Sequence, residues 1–133
     1  MKDLNDIALP SELHYAESHE WIAAAAPFRI GVTDFAQDAL GDITFVELPD
    51  AGKTFAKGEE FGSLESIKSV SAVYLPAAGK IIAVNPLLAD DPGLVNRDPY
   101  GDGWLVEIEP SDPAASSALL PADRYLAHLK EQA

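Results

Sequence analysis

Lys68 is a candidate for chemistry because of the residues on either side of it. It follows Glu65, Ser66 and Ile67 and precedes Ser69, in a stretch where polar and apolar residues alternate as in two strands of a hairpin. The alternation places Ile67 and Lys68 at the hairpin tip, where turn chemistry would favour Asn-Gly or Asp-Gly. An exposed hairpin lysine is most often only solubilising. A rigid tip also offers its amine to a modifying enzyme, and we predict that Lys68 accepts a covalent modification.

The other candidate residues do not assemble into a catalytic or metal-binding motif. The segment that starts at His19 and Glu20 begins like the zinc motif H-E-x-x-H, but Ala23 stands where the second histidine would be. His14 and His128 are scattered, which is typical of structural or exposed histidines. The acidic residues are too dispersed to predict an acid–base pair. We therefore predict no metal site and nominate no catalytic residue.

The composition excludes several partners and chemistries. The 133 residues include 22 acidic and 9 basic side chains, a net charge of −13, so a phosphate backbone or an anionic membrane would be repelled. No apolar run approaches the ~20 residues of a membrane helix. Cysteine is absent, which excludes disulfides, thiolate zinc sites and a cysteine nucleophile. Any redox-active sulfur must come from an attached group.

The first residues, MKDLNDIALP, lack the pattern of a targeting segment. They contain Asp3 and Asp6, with neither an apolar core nor an Arg-rich amphipathic pattern. Secretory signals and mitochondrial transit peptides have one or the other. We expect a cytoplasmic protein of bacterial type, or a mature form whose presequence has been removed.

The elements that must position Lys68 are mainly strands. Turn residues recur between positions 27 and 103, and the segments between them are rich in β-branched and aromatic residues. Strands are predicted at 28–32, 43–48, 60–65, 69–75, 80–84 and 104–109. One short helix interrupts them, with an N-cap at Thr33 or Asp34, Gln37 placed as in a capping box, and Gly41 at its end.

The last part of the chain has a helical pattern. Ser111, Asp112 and Pro113 are predicted to cap and open a helix, and Pro121 to separate it from a second helical run that ends at about Lys130. We expect one domain over residues 1–133, mostly β, with a helical extension over about 111–131 packed on it.

Two turn segments share nearly the same sequence. Residues 48–53 and 75–80 agree at five of six positions, 27 residues apart, and each turns at Pro-x-x-Gly. Either two β-turns converged on the same favoured residues, or a hairpin unit was duplicated and folded about a pseudo-twofold axis. Lys68 lies nearly midway between Gly58 and Gly79.

The segment Glu65-Ser66-Ile67-Lys68-Ser69 resembles the lipoylation motif of the H proteins of the glycine cleavage system. Other segments similar to that family follow in order: His19-Glu20-Trp21, Gly31-Val32-Thr33-Asp34 with Ala36-Gln37, Leu40-Gly41-Asp42-Ile43, Phe45-Val46-Glu47-Leu48-Pro49, Val84-Asn85, Pro92-Gly93-Leu94-Val95-Asn96, Asp98-Pro99-Tyr100-Gly101 and Gly103-Trp104-Leu105. The match runs from about Leu13 to the final helix. One segment alone would be unspecific, whereas the ordered set is very specific.

The resemblance implies both a fold and a modification. The fold would be a lipoyl/biotinyl-like hybrid of barrel and sandwich, mostly β, with a short inserted helix and a helical C-terminal tail. Lipoic acid would be joined by an amide bond to Lys68, with Glu65, Ser66, Ile67 and Ser69 forming the recognition hairpin around it.

The resemblance also places Glu20 and position 35 near a groove for the lipoyl arm. Some relatives carry histidine at position 35, so Phe35 is a departure that removes a polar contact to a bound amine there. Glu20 could still pair with a cationic aminomethyl group.

The function that the resemblance implies is a substrate carrier that is not itself an enzyme. The pyridoxal-phosphate glycine decarboxylase (P protein) would load an aminomethyl group onto the arm, and the tetrahydrofolate-dependent aminomethyltransferase (T protein) would unload it. Dihydrolipoamide dehydrogenase (L protein) would reoxidise the dithiol, and lipoyl-attaching enzymes would modify the lysine. A monomer suits such a shuttle.

One alternative function is an H-like lipoyl relay or regulatory carrier not coupled to glycine cleavage. Another is an unmodified acidic interaction domain.

Overall fold

The computed structural model of the chain describes residues 2–132. Its strands are β1 (Leu13–Tyr15), β2 (Glu20–Ala23), β3 (Phe28–Val32), β4 (Ile43–Glu47), β5 (Thr54–Phe55), β6 (Glu60–Ser66), β7 (Val70–Tyr74), β8 (Gly79–Val84) and β9 (Val106–Pro110). The helices are α1 (Asp34–Leu40), α2 (Leu94–Arg97) and α3 (Ala122–Gln132), with 3₁₀ turns at Leu4–Asp6, Pro86–Ala89 and Ala115–Ala118.

The strands form two antiparallel sheets. The larger sheet has the order β1-β2-β3-β9-β8-β5 and the smaller the order β4-β6-β7. The main apolar core contains Ile30, Ile81 and Ile108 from the larger sheet and Leu64 and Val73 from the smaller, each at most 2% exposed. The sheets therefore pack on each other as two layers, since one shared core joins their inner faces. This arrangement confirms the predicted mostly-β hybrid of barrel and sandwich.

All six predicted strands are present, with ends displaced by two residues at most. Three strands were not predicted. β1, β2 and β5 contain three, four and two residues, too few to show a pattern of their own. They form because longer neighbours pair with them, as β3 does with β2 and β8 with β5.

The predicted short helix is present as α1. Thr33 is its N-cap and accepts a hydrogen bond from the Ala36 amide at 3.2 Å, and Gly41 ends it with a left-handed φ of 78°. The side chain of Gln37 donates to the Asp34 carboxylate at 2.7 Å, in place of the backbone contact of a capping box. The expected helix is correct, and its cap is Thr33.

The prediction of a helix opened by Ser111, Asp112 and Pro113 is wrong. The structure has only a 3₁₀ turn there, over Ala115–Ala118. The Asp112 carboxylate accepts the Ala114 amide at 3.0 Å, and the Ser117 hydroxyl donates to the Ala114 carbonyl at 2.6 Å. These local side-chain bonds compete with the ladder of an α-helix. The second helical run is present as α3.

A second apolar cluster lies beneath α3. Tyr125 and Leu129 of the helix pack there with Leu13, Tyr15 and Trp21, and Trp104 joins them. The rings of Tyr15 and Tyr125 stack with their centroids 5.0 Å apart. The helix therefore packs on β1 and β2, and Glu20 is the first residue of β2.

The two similar turns lead into neighbouring strands. β5 follows the first turn and β8 the second, and these strands pair antiparallel, with Thr54 opposite Lys80. The glycines have different roles: Gly52 adopts a φ of 101°, whereas a Cβ on Gly79 would lie 2.7 Å from the Glu109 carbonyl oxygen. The paired strands fit the pseudo-twofold alternative, and the shared sequence serves two different backbone requirements.

Candidate functional site

Lys68 lies in the connection between β6 and β7. The last pair before this connection is Glu65 of β6 with Val70 of β7. The Ser66 hydroxyl oxygen accepts the Lys68 amide at 3.1 Å and the Ser69 amide at 3.2 Å, and the Ser66 amide donates to the Ser69 carbonyl at 2.8 Å. A buried serine thus organises the turn, which explains why Ile67 is tolerated where Asn-Gly was expected.

This hairpin tip rests against the end of α1. The Ile67 amide donates to the Asp42 carbonyl at 3.4 Å, and the Lys68 ammonium donates to the Ala39 carbonyl at 3.4 Å. A Cβ on Gly41 would lie 3.0 Å from the Lys68 Cε atom. The glycine that ends α1 therefore also leaves room for the lysine stem.

The connection after α1 is fixed by Asn96 of α2. Its side-chain amide donates to the Gly41 carbonyl at 2.8 Å and to the Gln37 side chain at 3.1 Å. Its side-chain oxygen accepts the Ile43 amide at 2.8 Å. One asparagine therefore holds both the end of α1 and the start of β4 in place beneath the tip.

The surface around the tip is unusually apolar for so acidic a chain. Ile67 is 72% exposed, Val70 67% and Phe45 54%. Phe45 and Val70 flank the exposed Glu65 in one row across β4, β6 and β7. Exposed apolar groups of this kind are typical of contact surfaces, and these three lie on the small sheet or on the hairpin tip that carries Lys68.

A cavity of about 150 Å³ lies beside the tip. We call it the α1 cavity, and its lining is Ser18, His19, Glu20, Val32, Phe35, Ala36, Ala39, Leu40, Leu64, Ser71, Ala72 and Val73. The Lys68 ammonium donates to the carbonyl of Ala39, a lining residue. Glu20 and Phe35, which the sequence nominated for a groove, both line this cavity, and the lysine contacts its wall at Ala39.

Glu20 is a buried carboxylate in the α1 cavity, only 1% exposed. One carboxylate oxygen accepts the Tyr74 amide at 3.2 Å, and the other accepts the Ser18 hydroxyl. Burial raises the pKa of Glu20 to about 7, although both hydrogen bonds favour the charged form. The group therefore changes charge near neutral pH and can attract a cation when ionised.

His19 is a lining residue that sequence reasoning considered only as part of an incomplete zinc motif. Its ring lies 4.9 Å from the ring of Phe35, so an imidazole is present in the α1 cavity despite the phenylalanine at position 35. Burial lowers the pKa of His19, with a smaller contribution from His128. The neutral imidazole is therefore the favoured form at neutral pH.

A larger cavity of about 380 Å³ lies farther from the lysine. It is bounded by Tyr15, Lys57, Leu75 and Leu119, among others. The Ala39 carbonyl that accepts the Lys68 ammonium belongs to a residue of the α1 cavity, whereas no residue of α1 lines the larger cavity. The smaller cavity is therefore the one within easier reach of a group on Lys68.

Within residues 2–132, no three histidine or acidic side chains come together as metal ligands. Over the same range, no helix is both long and apolar enough to cross a membrane.

Two facing sheets and a lysine held at a hairpin tip define the class of lipoyl/biotinyl-type domains, to which the fold belongs. The sequence pattern of the glycine cleavage H-protein family matches residues 13–132. The chain belongs to the glycine cleavage H-protein family.

Individual relatives agree with this assignment. A glycine cleavage system H protein of Listeria monocytogenes serotype 4b is 51% identical over 120 residues, 90% of this chain and 96% of the relative. A probable glycine cleavage system H protein of Haloarcula marismortui is 50% identical over 118 residues, 88% of this chain and 93% of the relative. The crystal structure of a glycine cleavage system H protein from Mycobacterium marinum superposes with a TM-score of 0.83 at 40% identity, covering 92% of this chain and 99% of that one.

Proposed function

We propose that the chain is a lipoyl carrier of the glycine cleavage system, with lipoic acid attached through an amide bond to Nζ of Lys68. The observation that supports this most directly is the position of that amine, on an exposed, hydrogen-bonded tip at the edge of the α1 cavity. Family membership supplies the system in which the carrier works. The chain has no cysteine, so its redox-active sulfurs would be those of the lipoyl group alone.

The residues around Lys68 suit such an attachment. Amide formation leaves one N–H on Nζ, which is sufficient to keep the hydrogen bond to the Ala39 carbonyl. Gly41 leaves space for the stem, and Ser66 fixes the tip in one conformation. Ile67 and Val70 offer apolar contact to the attaching enzyme, since both side chains are mostly exposed.

Attached to Lys68, the lipoyl disulfide would supply the sulfur that carries the aminomethyl group of glycine from the P protein to the T protein, and the L protein would reoxidise the dithiol left after unloading. Within the α1 cavity, Phe35, Leu40 and Leu64 exclude water, while Glu20 offers a carboxylate to a cationic amine. Because the pKa of Glu20 is about 7, this ionic contact strengthens as the pH rises through neutrality. The protein's own part is to hold and shelter, without a catalytic residue.

The test combines mass and exchange measurements. Protein from a lipoylation-competent host should carry one lipoyl amide by intact mass, and Lys68→Arg should carry none while keeping its thermal unfolding midpoint, since Lys68 is exposed. Lys53→Arg, at an exposed turn lysine, is the matched control and should remain modified. A wild-type protein left unmodified at Lys68 would overturn the proposal.

Reconstitution separates the two carrier roles. The lipoylated protein with P protein and glycine should support glycine-dependent bicarbonate exchange. A lipoylated protein that supports no exchange would point instead to a relay or regulatory carrier.

A further inference from the structure

The C-terminal helix reaches the α1 cavity through one buried side chain. Tyr125 of α3 is fully buried, and its hydroxyl oxygen lies 2.7 Å from the His19 Nδ1 atom and 2.9 Å from the Thr33 Oγ1 atom. Thr33 caps α1, and His19 lines the cavity. A residue 106 positions from His19 in sequence therefore connects two walls of the cavity.

The hydrogen bonds among these three residues have one consistent direction. Thr33 Oγ1 already accepts the Ala36 amide at 3.2 Å and is fully buried, so its own hydrogen needs an acceptor. Within the described residues the acceptor at hand is the Tyr125 oxygen, and Tyr125 must then donate to His19 Nδ1. A neutral His19 accordingly carries its proton on Nε2.

The position of His19 needs such support from a distant residue. Its φ of 77° lies in the left-handed region, which a residue other than glycine adopts at a cost of about 1 kcal/mol or more. The backbone is held there because its amide donates to the Ala16 carbonyl and its carbonyl accepts the Thr33 amide, both at 3.0 Å. Among the described residues, the hydrogen bond to the ring comes from Tyr125.

We propose that Tyr125 is a positioning residue for the lipoyl arm: its hydroxyl fixes the tautomer and orientation of His19 against Phe35 and thereby shapes the α1 cavity. This inference rests on the proposed function, because it assumes that the arm occupies this cavity. It gives α3 a role beyond covering the second apolar cluster. Through Tyr125, α3 holds the His19 side chain in place, which neither β2 nor α1 does alone.

Tyr125→Phe tests the inference, with Tyr15→Phe as the matched control. Tyr15 is also fully buried and stacks on Tyr125, but its hydroxyl donates to the Pro10 carbonyl at 2.6 Å and not to His19. The lipoylated wild type and both variants are loaded with the aminomethyl group by P protein and glycine, freed of glycine and treated with iodoacetamide, and the alkylation rate of the remaining arm thiol is compared with that of free dihydrolipoamide. We expect the wild type and Tyr15→Phe to be alkylated about tenfold more slowly than the free thiol. Tyr125→Phe should be alkylated about threefold faster than the wild type.

A spectroscopic measurement separates positioning from general stability. The ring nitrogens of His19, observed by ¹⁵N NMR, should report the Nε2–H tautomer in the wild type and in Tyr15→Phe, and a tautomer mixture in Tyr125→Phe. His19→Ala provides a second variant that leaves Tyr125 bonded to Thr33. It should lose a similar share of protection, and the double variant should lose no more than either single one.

Three results would overturn the inference. Equal protection in the wild type and Tyr125→Phe would show that Tyr125 does not shape the cavity. Equal losses in Tyr125→Phe and Tyr15→Phe would indicate a stability effect. A wild type that is no better protected than free dihydrolipoamide would refute the occupied cavity itself, and with it the sheltering part of the proposed function.

Discussion

The hairpin tip and the α1 cavity are adjacent, but they differ in exposure and in how far apart their residues lie in the sequence. The tip is exposed and is built from neighbours in sequence, with Ser66 bonding to residues two and three positions later. The cavity is enclosed and is assembled from separated segments, joined by Tyr125 from the far end of the chain. In the proposed function, attachment would require access and shelter would require burial, and the two would then depend on different elements that meet at Ala39.

The ionisable groups of the tip and of the α1 cavity also differ in their exposure. Lys68 is exposed and donates to the Ala39 carbonyl, whereas Glu20 is buried and the pKa of His19 is lowered by burial. Perturbed titration is a feature of enclosed groups, since burial penalises charge. Substitutions at the tip should therefore change attachment, and substitutions in the cavity should change protection and the response to pH.

The largest expected effect on stability comes from Glu20. Its pKa is about 7 in the folded protein and ordinarily 4.5, so the folded state binds the extra proton between these values and wild-type stability falls as the pH rises through that window. Glu20→Gln removes this dependence. The unfolding free energy of the variant, relative to wild type, should rise by on the order of 3 kcal/mol from pH 4.5 to pH 8.

Urea unfolding at several pH values measures this difference. The matched control is Glu17→Gln, because Glu17 is exposed and makes no hydrogen bond within the described residues. If the unfolding free energies of wild type and Glu20→Gln changed with pH in parallel, Glu20 would not have a raised pKa. The contrast between a titrating cavity and the hairpin tip would then be wrong.

A smaller effect is expected from Ser66 at the tip. Ser66→Ala leaves the amides of Lys68 and Ser69 without their acceptor, and since both residues are exposed, water can partly replace it. We expect a loss of about 1 kcal/mol in unfolding free energy, with a slower rate of lipoyl attachment measured by intact mass over time. Thiol protection after attachment should be unchanged.

Ser69→Ala is the corresponding control, because the Ser69 side chain makes no hydrogen bond within residues 2–132. Its stability should stay within about 0.5 kcal/mol of wild type. An equal loss in both variants would show that Ser66 does not organise the tip.

The smallest effect is expected from salt. A net charge of −13 should raise the rate of encounter with partner enzymes rather than the final affinity. Binding to the P protein, followed by stopped-flow fluorescence, should weaken a few-fold between low ionic strength and about 0.15 M. An affinity insensitive to salt would leave the apolar surface around Ile67 as the main docking contact.

Much of this organisation could be predicted from the sequence because it is local. Strand-forming runs, the Thr33 cap, the closing Gly41 and the lysine hairpin each depend on a few consecutive residues. The failure near Ser111 was also local in origin, because Asp112 and Ser117 form side-chain bonds that compete with the helix their sequence suggested. Strands β1, β2 and β5 were missed because their partners, and not their own residues, decide that they are strands.

The sequence by itself determined that this protein presents Lys68 on a hairpin, that it has no sulfur nucleophile of its own, and that its surface is acidic. These properties follow from composition and short spacing. Only the tertiary structure decided that Glu20 is buried, that His19 adopts a left-handed backbone beside Phe35, and that Tyr125 holds its ring. The physical reason is that burial and long-range hydrogen bonds arise from contacts between segments distant in sequence, which local patterns do not encode.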